Sequence, residues 1–221
     1  TRLLANDIEV KKAMIKAIEK ILVEYKISSC HILFPDKNDH ELFNEMGWLS
    51  RKGIQFKWHN NSYQTFNEFL QTLSHNKRKK IKQERKKIDA NGIIIERKQS
   101  ADISSEDIDF FYECYCETYR LHNSTPYLKK TFFYELVKTM PNKLLVIIAT
   151  KNGRKIASAL NIIGEETLYG RYWGALEFFS GLHFELCYYQ GQEFCIENKI
   201  KYFEGGAQGE HKLARGFKPF D

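Results

Sequence analysis

Residues 167–207 read as strand, helix, strand, and the helix in the middle constrains everything around it. Its apolar residues (Leu182, Phe184, Leu186, Tyr188, Tyr189, Phe194 and Ile196) point in almost every direction around a helical axis. An element predicted over 181–198 must therefore be enclosed by the rest of the fold. Ser180 stands where it can cap that helix. The first strand, 167–174, alternates Tyr169, Arg171 and Trp173 on one face with Leu168 and Tyr172 on the other. The second strand is expected over 201–207. So short a crossover makes the two strands parallel neighbours joined by a right-handed connection.

Polar residues inside such a unit need partners, because an unpaired buried charge costs several kcal/mol in order of magnitude. Arg171, His183, Glu185, Glu204, Glu210, His211, Lys212 and Arg215 are the residues concerned. They form either an internal ion-pair network or a functional site. Gly205, Gly206 and Gly209 let backbone come close to a ligand where the second strand ends, the usual ligand position in open α/β sheets.

The charge is concentrated. Lys77–Lys87 (KRKKIKQERKK) holds eight basic residues and one Glu, a local +7 in a chain whose net charge is +6. The remainder is a nearly neutral globule carrying one basic rod, whose lysines and arginines are either a solvated face or a receiver of phosphates. The longest apolar run, 144–149, is far too short to span a bilayer, so a cytosolic protein without membrane insertion is expected. Five cysteines (Cys30, Cys114, Cys116, Cys187 and Cys195) lack CxxC spacing and an even count. They are expected to be free core thiols, with no metal site. Cys187, one helical turn from His183, leaves a thiol nucleophile open.

In chain order, an amphipathic helix is expected over 7–25, a strand over 29–34, a helix over 38–46 and a strand over 54–58. That block has too few strands to cover its own apolar faces. One long helix follows from Thr65, its N-cap with Glu68 as capping-box partner, to Ala90, stopped by Asn91-Gly92. Then come a strand from 93, helices over 108–122 and 127–140, and the strands 144–150 and 156–163 about an Asn152-Gly153 hairpin. The strands 144–150, 156–163 and 167–174 should form an antiparallel meander, with 201–207 parallel to the last.

This order of elements from residue 93 resembles the GNAT acyltransferase fold. LSHNKRKKIKQERKKIDANGIIIE looks like the basic helix leading into the second GNAT domain of the Fem aminoacyl-transferase family. YGRYWGALEFFSGLHFELCYYQGQEFCIE and FEGGAQGEHKLARGF resemble bacterial proteins grouped as predicted N-acyltransferases of peptidoglycan biosynthesis or recognition. The resemblance implies an α/β fold with a mixed sheet, a truncated tandem of two GNAT-like domains. Residues 1–60 would be the second half of a first domain whose start lies upstream, 61–92 a connecting helix, and 93–221 a second domain whose end is also missing. The acyl donor, an aminoacyl-tRNA or an acyl-CoA, would lie between the parting strands at 167–174 and 201–207. The Q/R-x-x-G-x-G/A loop of acetyl-CoA GNATs is missing from GALEFFSGLHF, leaving the amides of 181–183 as an anion site.

An N-acyl or aminoacyl transfer onto an amine is one expectation, with a peptidoglycan precursor as acceptor. It assigns proton transfer to His211 and Glu210, then His183 or Glu204, and leaving-group protonation to Tyr172. Arg171, Trp173, Gln208, Lys212 and Arg215 would hold substrate, and Lys79, Lys82, Arg85 and Lys86 would hold tRNA phosphates. The alternative is a non-catalytic module using the basic helix to grip nucleic acid or an anionic cell-wall precursor.

Overall fold

In the computed structural model, which describes residues 3–99, 102–207 and 209–220, the apolar run beginning at Leu144 is a strand covered on both faces. This strand, β3 (Leu144–Lys151), turns Leu145, Ile147 and Ala149 to one core and Leu144, Val146 and Ile148 to the other. Period two divides a continuous apolar run between two layers. It pairs antiparallel with β2 (Ile93–Gln99) and β4 (Arg154–Ile163), and β5 (Thr167–Ala175) continues the meander against β4. Asn152 and Gly153 both have positive φ, 49° and 76°, the conformation a two-residue type I′ turn needs.

β6 (Tyr202–Glu204) runs parallel to β5, as the short crossover demands, and pairs with Thr167, Leu168 and Tyr169. Beyond Tyr169 no described residue of β5 pairs with β6, and the end of β5 is left unzipped on that side. The strand expected over 54–58 does not close the first block. It is β1 (Gln55–His59), and it lies antiparallel between β6 and β7 (Lys218–Phe220) in this same sheet, of order β2-β3-β4-β5-β6-β1-β7.

One face of the sheet is covered by α5 (Ser105–Leu121) and α6 (Lys130–Thr139) through Phe111, Tyr115 and Phe133. Gly174 sets how close α5 comes, since a Cβ there would lie 1.9 Å from the backbone oxygen of Cys114. The other face carries α3 (Phe66–Gln71), α4 (His75–Ala90) and the enclosed helix. The single helix expected over 65–90 is thus two. Thr65 caps the first, while Glu68 reaches the Gln64 amide instead of that of Thr65. Thr72 bonds its hydroxyl back to the Phe69 carbonyl, a local competitor that ends the first helix before Ser74.

The enclosed helix starts as α7 (Leu182–Phe184), widens into a π-turn (Glu185–Tyr189) and resumes as α8 (Gln190–Glu197). Ser180 is not its cap. Gly181, at φ +94°, takes that position with no side-chain bond. The Leu182 amide is already donated to Phe179, which takes one group from the anion site expected at 181–183.

Residues 1–53 form a separate compact unit, and 54–221 the other. The first is built on α1 (Ile8–Glu24), capped by Asp7, and α2 (Lys37–Glu45), capped by Asp36, around Leu3, Ile15, Leu42 and Phe43. Its buried Asp39 is paired with Lys11 at 2.5 Å. Residues 29–34 form no strand. Leu33 and Phe34 are exposed, and Phe34 takes φ 52°, outside the extended region a strand requires.

Candidate functional site

A cavity of about 160 Å³ opens where β5 leaves β6. Asn161, Arg171, Tyr172 and Trp173 line its strand side, His183, Cys187 and Tyr188 its helix side, and Gly205 one end. Two backbone irregularities meet there. The β4–β5 register shifts between Leu160 and Asn161, which face Tyr172 and Gly170, so that Arg171 has no opposite residue. Across the cavity, the π-turn supplies Cys187 and Tyr188. A bulge re-aims a side chain, and π-turns are common at functional positions.

The histidines and the Tyr188 hydroxyl here are kept neutral. Burial, with the charges of His211, Arg215 and Lys212, pushes His183 down to about 4. Burial, with Arg215 and Lys212, also lowers His211. Tyr188 shares a 2.9 Å hydrogen bond with Nε2 of His211, and burial pushes its hydroxyl well above the usual phenol range. His183 stacks edge-on against Trp173 with centroids 4.9 Å apart. Burial raises the Cys187 thiol strongly, which disfavours the thiolate that a nucleophile requires.

The shift at His183 has a measurable consequence. In the unfolded chain the imidazole protonates near 6.5, and in the folded chain only near 4. The unfolded state thus binds more protons between those values, and stability falls as pH drops through 6.5 toward 4. The loss is expected to reach about 2 to 3 kcal/mol. Denaturant titrations at pH 7 and 4.5 should show this slope, reduced in His183→Phe. An equal slope in both proteins would count against a buried neutral imidazole.

The other expected site residues are scattered. Glu204 is 3.0 Å from Lys57 on β1, its register partner, and does not join His211. Sheet pairing put a lysine opposite it. Arg215, 1% exposed, is held by both carboxylate oxygens of Glu84 at 2.8 Å, by Tyr189 Oη at 2.8 Å and by the His211 carbonyl at 2.8 Å. Its guanidinium also lies 3.4 Å over the Phe184 ring. It is structural and not a substrate clamp. Lys212 is buried, with Nζ donating to the Gly206 carbonyl at 3.1 Å, and burial lowers its pKa. Glu210 is exposed, Tyr172 packs its ring on Tyr115 and Phe133 while lining the cavity, and Gln208 lies outside the described residues.

The basic rod also splits. Arg85 turns inward to Glu185, at 3.1 Å, and Glu193, at 2.5 Å, so it is an internal ion pair and not a phosphate ligand. Lys79, Lys82 and Lys86 stay exposed and border, with His75 and Arg78, an outer groove of about 320 Å³ along α4. That groove lies on the side of the helix opposite the buried Ile81 and Ile88. Sequence reasoning missed Tyr188, Tyr189 and Glu84. The first two sit within the apolar stripe of the sequence, although a tyrosine buried on a helix requires a hydrogen-bond partner.

A family model described as peptidoglycan biosynthesis/recognition, FemAB-like, matches residues 1–221. The chain belongs to the FemAB-like family. Its sheet is the GNAT-like mixed α/β fold shared with solved structures of low identity. FemX is similar with a TM-score of 0.59 and 10% identity, over 96% of this chain and 75% of FemX. L-PGS from Bacillus licheniformis has a TM-score of 0.58 and 11% identity, over 84% of this chain and 63% of that one. A conserved protein of unknown function from Bacteroides thetaiotaomicron has 0.55 and 15%, over 96% and 72%. No curated protein sequence matches. Among the described residues no helix is long and apolar enough to cross a membrane.

Proposed function

We propose that this FemAB-like chain transfers an aminoacyl group from a charged tRNA to an amine on a peptidoglycan precursor. The observation that carries this reading is the cavity at the parting of β5 and β6, where a neutral His183 faces a Tyr188–His211 pair. At about 160 Å³ it is smaller than the range of about 300 to 1,000 Å³ usual for whole ligands. It suits the transferred group alone, leaving the nucleotide outside.

The reaction forms one N–C bond and breaks the C–O bond to the terminal ribose. As the amine attacks the ester carbonyl, His183 offers a ring N–H to the oxygen that gains negative charge. The amine's proton passes to the Tyr188 oxygen while the Tyr188 proton goes to the departing ribose oxygen, and His211 fixes the direction of that hydroxyl. Lys79, Lys82 and Lys86 supply the phosphate contacts along α4.

The test is to incubate the purified chain with tRNA carrying radiolabelled amino acids and a lysine-containing muropeptide, with acyl-CoA donors in parallel. Label should move from tRNA to the muropeptide amine. Salt-sensitive tRNA binding without transfer from any donor would replace this reading with the non-catalytic module.

A further inference from the structure

Arg171 is the only formally charged residue among the described residues lining the cavity once His183 is neutral. It is exposed, and among the described residues it has no ion-pair partner, while its guanidinium lies 6.0 Å from the centroid of the Tyr172 ring. Most other arginines of this sheet and its helices contrast with it, Arg78 on α4 being held by the Leu73 carbonyl and not by a carboxylate. Arg85, Arg97, Arg154 and Arg215 each hold a carboxylate. Arg171 is also the residue displaced by the β4–β5 register shift, so the backbone gives up regular pairing at this one place beside the cavity. Giving up a ladder position to present a guanidinium calls for a planar anion.

We infer that Arg171 is the anchor for a carboxylate on the amine acceptor, so that the acceptor must present an amine and a carboxylate together. This inference rests on the proposed transfer. The exposed lysines on the outer groove of α4 already suit the donor's phosphates, whereas Arg171 stands at the cavity where the amine must arrive. A guanidinium holds carboxylate with two parallel hydrogen bonds, and a lysine cannot reproduce that fork.

Two acceptor probes separate the possibilities: a lysine-containing pentapeptide with a free C-terminal carboxylate, and its C-terminal amide. Each is measured by calorimetric binding and, in the transfer assay, by KM. For the free acid, Arg171→Gln should weaken binding and raise KM about tenfold or more, and Arg171→Lys should restore little of it. For the amide, wild type and both variants should agree. A loss confined to charged-tRNA binding would mean that the anion is a donor phosphate and would overturn the inference. Equal weakening toward acid and amide, or none toward either, would overturn it as well. Because the binding arm needs no turnover, it can succeed when the transfer reading fails, and the two failures are distinguishable.

Discussion

Replacing Glu84 by Ala is expected to cost about 3 to 5 kcal/mol of folding free energy. Glu84 is the only acid in a run of eight basic residues, and its charge alone would suggest a minor role. Its position decides otherwise. Arg215, 1% exposed, has both Glu84 oxygens as its counter-charge, and Tyr189 also donates its hydroxyl to Glu84. Removing the carboxylate leaves a buried cation with only neutral acceptors, and a buried tyrosine hydroxyl that loses its acceptor. The double variant Glu84→Leu with Arg215→Met should recover part of the loss, since a buried pair can be exchanged for apolar residues at little cost. Lys79→Ala, Lys82→Ala and Lys86→Ala should leave the denaturation midpoint near wild type. Equilibrium denaturation of these variants decides the matter. A Glu84→Ala protein as stable as the lysine variants would sink the assignment of Arg215 as a structural anchor.

That contrast also separates what a sequence of this kind makes legible from what it does not. Period two in 167–174 and the unbroken apolar run at 144–149 suffice for the meander, because those patterns are written in neighbouring residues. The all-round apolar helix suffices for the parallel pairing of β5 and β6. Two kinds of information were out of reach. Glu204 and Lys57 are register partners only because β1 slots between β6 and β7, a choice made by residues far apart in the chain. Likewise, which side of α4 faces the core is set by its two isoleucines, Ile81 and Ile88, too sparse a pattern to separate Glu84 and Arg85 from Lys82 and Lys86. The site was partly legible for the same reason. Arg171, Tyr172, Trp173 and His183 could be grouped from one strand and the helix that follows it, but the partner of His211 depended on a π-turn that shifts Tyr188 relative to an ordinary helix.

Tyr188→Phe is expected to lower kcat for aminoacyl transfer by about 100-fold or more, the range for loss of a positioned proton donor. The side chain is 4% exposed, and its ring contacts with His183, Phe184 and Phe217 involve no oxygen, so phenylalanine keeps the packing. The hydroxyl's partner, His211, is exposed and can bond water instead, which limits the stability cost to about 1 kcal/mol. His211→Gln should reduce kcat less, because it removes the group that orients the hydroxyl and not the hydroxyl itself. It should also alter the acid side of the pH–rate profile. Burial, Arg215 and Lys212 lower the His211 pKa, so in wild type activity is lost as pH falls through a value below the ordinary 6.5. In His211→Gln the part of that limb owed to His211 should vanish. KM for donor and acceptor should stay close to wild type in both variants, since neither atom is assigned to binding. Full turnover by Tyr188→Phe would assign the proton transfer elsewhere in the cavity. A large fall in its melting temperature would instead mark the Tyr188–His211 bond as a structural tie.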